Sequence, residues 1–212
     1  MTELWQDAAP APFVLKGRGR TLDAWGYSST EAAGLIAHAQ QFGDPAILAA
    51  IDGLAHVASR EVPALAPGRL VEFEVRVCPV IRLSGGLGAW RAGAEVDAYL
   101  IAQHRGGADA PAREAVYREW LANRLGDPAR SGAVLEGARV VGMGRSRLVR
   151  RTQGADRSAR HFDRPDVTIE GTLRVVDGSR LVSLLATGVG RHRAFGFGAI
   201  LLRAAARAPR DD

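Results

Sequence analysis

This chain lacks several things that would narrow its function quickly. It has one cysteine, Cys78, which excludes an internal disulfide and fits a reducing cytoplasm. Set among Val75, Val77, Val80 and Ile81, that thiol reads as a small buried hydrophobe rather than a nucleophile. No run approaches the roughly 18 apolar residues of a membrane span. The opening MTELWQDAAPAP has neither the basic nor the apolar stretch of a secretory leader. The expectation is therefore a cytoplasmic protein with no membrane partner. His38, His56, His104, His161 and His192 have no second His or Cys at ligand spacing, so neither a metal nor a cofactor is expected. No short-period repeat occurs, which excludes a solenoid. Lysine is almost missing too: Lys16 stands alone among 28 basic residues.

What is abundant is arginine. The formal net charge is +5, with 23 acidic residues against those 28 cations. That excess suits a polyanionic partner, although part of it is the alanine- and arginine-rich bias of the whole composition. The placement of the arginines is more informative than their number.

Residues 188–203, GVGRHRAFGFGAILLR, combine Gly188, Gly190, Gly196 and Gly198 with Arg191, His192 and Arg193. A dinucleotide-binding fingerprint needs a strand before its glycines and a helix after them. Here the order is reversed. Residues 178–187 carry apolar side chains at helical spacing, and 197–202 is an apolar run of strand length. The glycines thus join a helix to a strand, leaving a cationic loop whose backbone N–H groups can cradle phosphates. Phe195 and Phe197 can pack inward or stack on a base. His192 is the weak candidate for proton transfer, with phosphate contact as its commoner role.

A second cationic stretch, RSRLVRRTQGADRSARHFDR at 145–164, holds Arg145, Arg147, Arg150, Arg151, Arg157, Arg160 and Arg164. Arg139 lies just upstream and Gly154 at the expected turn. This reads as a hairpin with arginines on both arms, able to track a phosphate backbone by releasing its counterions and to grip oxygens with planar guanidinium forks. The bland alternative is a solvated surface hairpin. Lys16, Arg18 and Arg20 form a smaller cationic turn near the start.

Along the chain, strands are expected at 12–16, 21–27, 69–83, 133–141, 146–152, 166–176 and 197–202. Helices are expected at 30–41, 46–54, 112–125 and 178–187. With an opening strand inside 91–104, the second half reads βαββαβ, the ferredoxin-like order. The first half reads as the same pattern without its first strand and helix. The expected class is α+β, two tandem ferredoxin-like units: 1–85, N-terminally incomplete, and 86–212, carrying the basic hairpin and glycine loop.

The closing GVGRHRAFGFGAILLR resembles the C-terminal glycine-rich signature of the repeat-associated RAMP superfamily of CRISPR RNA-processing endoribonucleases. FEVRVCPVIR at 73–82, RAGAEVDAYL at 91–100, EAVYREWLANRL at 114–125 and TIEGTLRVVDGSRLVSLL at 168–185 are similar to the CasE branch, the type I-E Cascade subunit. The resemblance covers nearly the whole chain. It implies recognition of the CRISPR repeat stem-loop in precursor RNA, and metal-independent cleavage by attack of a 2′-OH on the adjacent phosphorus. It also implies retention on the mature guide beside the backbone protein and other Cascade subunits. The family's catalytic histidine is expected upstream of Met1, so no residue here inherits it. Two roles stay open: a processing endoribonuclease, or a non-catalytic subunit holding the guide's 3′ hairpin. The expected RNA contacts are Arg145, Arg147, Arg150, Arg151, Arg157 and Arg160, then Arg191, His192 and Arg193, with Lys16, Arg18 and Arg20 secondary. A free-nucleotide enzyme built on the glycine loop is the third reading, without specificity residues to support it.

Overall fold

A computed structural model of the chain describes residues 2–18, 20–51, 54–151 and 159–204. Its centre is a four-stranded antiparallel sheet. The strand β3 (Leu70–Val77) alternates Val71, Phe73, Val75 and Val77 inward with Glu72, Glu74 and Arg76 on the other face, as a sheet with one dry face requires. Two more strands, β6 (Ala133–Arg151) and β7 (Ala159–Val175), and the closing β8 (Ile200–Ala204) complete the order β6-β7-β3-β8. Between β3 and β6 lie a small ribbon of β4 (Val80–Arg82) and β5 (Glu95–Asp97), then α4 (Ala98–Gly106), α5 (Arg113–Leu125) and the single turn α6 (Pro128–Ser131). Helix α7 (Gly178–Thr187) separates β7 from β8. Strand, helices, two strands, helix, strand, with every pairing in the sheet antiparallel, is the complete ferredoxin-like order.

The dry face is closed by α5 and α7. Val116, Tyr117, Trp120, Leu121 and Leu125 of α5 pack with Leu181 and Leu185 of α7 against β3 and β7. Helix α7 begins where Asp177 accepts hydrogen bonds from the Ser179 and Arg180 amides, and ends at Gly188 with φ +69°. Tyr117 donates to the buried Asp97 carboxylate, 3.1 and 3.0 Å from its two oxygens, and Asp97 also caps α4 through the Tyr99 amide.

The N-terminal part runs α1 (Thr2–Trp5), β1 (Phe13–Arg18), β2 (Thr21–Gly26), α2 (Ala32–Phe42) and α3 (Pro45–Ala50). Helix, hairpin, helix is the middle of the same unit. Its small core joins Leu4 and Trp5 to Leu35 and Ala39. The β1–β2 hairpin meets the large sheet on its polar face, where Lys16 pairs with Glu74 at 2.7 Å; just after the hairpin, the Tyr27 hydroxyl donates to the Ile200 carbonyl.

Several expectations change, among them the single strand 69–83, which is two, β3 and β4. The C-terminal unit opens with β3 at 70–77, not with a strand inside 91–104, which holds β5 and most of α4. A division at 85 would cut β3 away from the sheet it pairs in; alternation alone cannot say which half a strand joins. The separate strands 133–141 and 146–152 are one strand, β6, whose register shifts at Leu135/Gly137 and Val140/Gly142 obscure the period of two. Finally, β8 begins at Ile200, so Phe197 belongs to the loop.

Candidate nucleic-acid interface

Beyond the sheet, β6 and β7 continue as a two-stranded ribbon to the pair Arg151↔Ala159. Past the second bulge the register is regular, so its two faces can be read from the pairing. One carries Arg145, Arg147 and Val149 opposite Pro165, Asp163 and His161; the other carries Ser146, Leu148 and Arg150 opposite Arg164, Phe162 and Arg160. The expected arginine strip is therefore divided between two faces. Gly154 and Arg157 lie outside the described residues, as do the side chains of Arg151 and Arg18.

The second face is anchored. Leu148, 7% exposed, packs with Cys78, Val80 and Phe197, against which Phe162 and Phe195 also lean. Arg150 and Arg160 sit directly opposite each other above this cluster, both exposed. Among the described residues neither has an acidic partner. Like charges facing across a strand pair destabilise it, and an anion placed between them removes the repulsion. On the first face Arg147 reaches Asp163 at 3.2 Å with both side chains exposed, a weak pair.

The glycine loop packs on the ribbon's base. His192, in the left-handed region at φ +63°, lies beside Phe162 and Phe195. The glycines are demanded by packing as much as by turning. A Cβ on Gly190, at φ +76°, would stand 2.7 Å from the Trp120 ring, and one on Gly198, at φ +84°, would stand 2.3 Å from the Val189 carbonyl oxygen. The amides of Gly188, Val189, Phe195, Gly196 and Gly198 donate to carbonyls of the protein itself. These five are spent within the fold and are not available to a phosphate. Phe197 is fully buried and Phe195 half-buried, so Phe197 is core and no platform for a base.

The contact that joins loop to ribbon runs through Glu95. Its carboxylate receives Arg191 Nε at 2.5 Å, Arg164 Nη2 at 3.3 Å and His192 Nε2 at 3.0 Å. The His192 approach is close in distance but lacks the alignment of a hydrogen bond. Burial pushes the Glu95 pKa up, yet the surrounding cations outweigh it and hold the carboxyl below its ordinary value. Burial likewise lowers His192, and neighbouring Arg164 and Arg191 add to that, so the imidazole sits below its usual range despite Glu95. Next to it Arg76 lies over the Phe197 ring at 4.4 Å and grips Asp166, which also accepts from Ser146. Burial opposes ionisation of Asp166, but the Arg76 and Ser146 hydrogen bonds win and depress its pKa. Burial pushes the Cys78 thiol up to about 12.

Of the residues expected to form the site, the structure brings Arg150, Arg160, Arg191 and His192 together on one side and places Arg145 and Arg147 on the ribbon's opposite face. Arg193 donates to the Thr187 carbonyl at the end of α7. Lys16 is held by Glu74, and Arg20 is exposed at the distant turn of β1–β2. Sequence reasoning missed Glu95, Arg76 and Asp166. Glu95 stands 69 and 96 positions from the arginines it binds, so no local pattern marks it. Among the described residues no three His, Cys, Asp or Glu side chains gather as metal ligands, and no helix is long and apolar enough to cross a membrane.

No protein of curated function matches the chain in sequence. Solved structures do match in fold. The crystal structure of the CRISPR-associated protein Cas6e from Escherichia coli K-12 aligns at TM-score 0.54 and 15% identity, covering 94% of this chain and 86% of that one. A chain of a CRISPR RNA-guided surveillance complex aligns at TM-score 0.53 and 18% identity, over 92% and 80%. Thermus thermophilus Cse3, bound to an RNA representing a pre-cleavage complex, aligns at TM-score 0.50 and 21% identity, over 90% and 76%. A further Cse3 chain, bound to a 19-nucleotide RNA, is spanned over 61% of its length. The family model for CRISPR associated proteins matches residues 16–204, from the first hairpin through the last strand. A match of that extent, on a sheet of ferredoxin-like order, makes this chain a member of the CRISPR associated protein family.

Proposed function

We propose that this chain binds the stem-loop of a CRISPR repeat RNA and remains on the guide's 3′ hairpin beside other subunits of a surveillance complex. The observation that carries the reading is the convergence of ribbon and glycine loop. Arg150, Arg160 and Arg191 share one side, while Arg145 and Arg147 occupy the other face of the same ribbon. A ribbon charged on both faces suits a groove walled by two phosphate strands, and A-form RNA is recognised chiefly through its shape and backbone. The RNA-bound Cse3 and the surveillance-complex chain, both alike in fold, support this assignment.

Cleavage is the finer question. Attack by a 2′-OH needs one group to take its proton and another to protonate the leaving oxygen. His192 is 12% exposed with Nε2 against Glu95, an arrangement that suits an anchor better than a proton carrier. The test is incubation of the protein with repeat RNA in EDTA. Tight binding of the hairpin with no product supports a holding subunit. A discrete fragment with a 5′-OH end supports processing. Binding no stronger than to an unstructured RNA of equal length refutes the proposal.

A further inference from the structure

The cations around Glu95 outnumber its charge. Arg164 and Arg191 together carry two positive charges against one carboxylate, with His192 packed beside them. Nearby, by contrast, Arg76 pairs one to one with Asp166. Two donors at the site also lack aligned partners, Arg164 Nε and His192 Nε2. Arg191 uses only its Nε on Glu95 and is 43% exposed; among the described residues its terminal amino groups make no hydrogen bond. The three groups come from two segments distant in sequence, β7 and the loop after α7. Among the described residues, Glu95 is the acidic side chain that touches both.

We propose that Glu95 is a positioning residue for RNA: it pins the glycine loop to the base of the ribbon, so that Arg191 and Arg164 present a preformed, cation-rich socket to one phosphate. The proposal rests on the RNA-binding reading above. Without the carboxylate, Arg164 and Arg191 repel one another and the loop swings away from the ribbon. A socket assembled in advance spares the binding step the cost of ordering long side chains.

The sign of one measurement separates positioning from simple charge. Removing a carboxylate beside bound phosphate strengthens binding if only net charge matters, and weakens it if Glu95 holds the socket. Affinity for a repeat-hairpin RNA is measured by fluorescence anisotropy for the unaltered protein, Glu95→Gln and Glu95→Asp, with thermal unfolding as the check of fold. Glu95→Gln is expected to lose on the order of tenfold in affinity, with a salt slope shallower by about 0.7–0.9, the share of one phosphate. Glu95→Asp keeps the charge on a shorter arm and is expected to weaken binding as well, where a pure charge effect leaves it unchanged. It carries the comparison should Glu95→Gln fail to fold. In NMR titration, His192 (faced by Glu95, Arg164, Arg191 and the rings of Phe162 and Phe195) loses the group that supports its charged form, so Glu95→Gln lowers its midpoint. Unchanged or tighter binding by both variants overturns the positioning role while leaving RNA binding intact. Failure of the unaltered protein to bind the hairpin overturns both.

Discussion

Removing Arg150 and Arg160 together should separate function from stability. The two face each other across the ribbon without an acidic partner among the described residues, so replacing both by alanine relieves a like-charge pair that costs about 0.2–1 kcal/mol. The thermal midpoint should therefore hold or rise. RNA binding should fall, and its salt dependence should fall with it. If each arginine neutralises one phosphate, the slope of log affinity against log salt becomes shallower by about 1.4–1.8. Over a fourfold rise in salt, the unaltered protein then loses about 7–12 times more affinity than the double variant. Anisotropy titrations at 50, 100 and 200 mM salt resolve a difference of that size. Arg118→Ala with Arg130→Ala, on α5 and α6, is the matched control: it too lowers the formal net charge from +5 to +3 (5 − 2 = 3). If the control changes the slope as much, the effect belongs to net charge, and the ribbon reasoning is refuted. Equal slopes for the double variant and the unaltered protein refute it as well.

Three further outcomes follow from the packing. Asp97→Ala strips a buried partner from Tyr117 and the cap from α4, and should cost about 1–3 kcal/mol in denaturant unfolding; Asp97→Asn should recover part of the loss. Cys78, 1% exposed with its pKa pushed up to about 12, should resist iodoacetamide at pH 8 in the folded protein and react only on unfolding. Asp166 has a lowered folded pKa, so its contribution is fully present above the unfolded carboxylate value of about 3.9 and disappears as pH falls through the folded value. The stability gap between the unaltered protein and Asp166→Asn, followed by urea unfolding, should be constant at neutral pH and narrow below pH about 4; a gap that widens on acidification contradicts the Arg76–Asp166 assignment.

Most of the elements were legible because their signals are local. Alternation set β3, a helical stripe set α5, and apolar residues at helical spacing set α7. The arginine ribbon and the glycine loop were legible as charge and as backbone freedom. Even so, glycines announce only that a side chain is not tolerated. Whether the reason is a ligand or the Trp120 ring is a matter of what stands opposite.

Local pattern thus carried composition-level chemistry and nearest-neighbour structure: a lone thiol, an arginine surplus, helices and strands. Long-range contacts set which sheet β3 joins, which ribbon face each arginine takes, and that Glu95 gathers Arg164, Arg191 and His192. The physical reason is range. Propensity and capping act within a few residues, whereas strand partners and ion pairs are set by which surfaces the core brings together, and one bulge is enough to turn every later side chain to the opposite face.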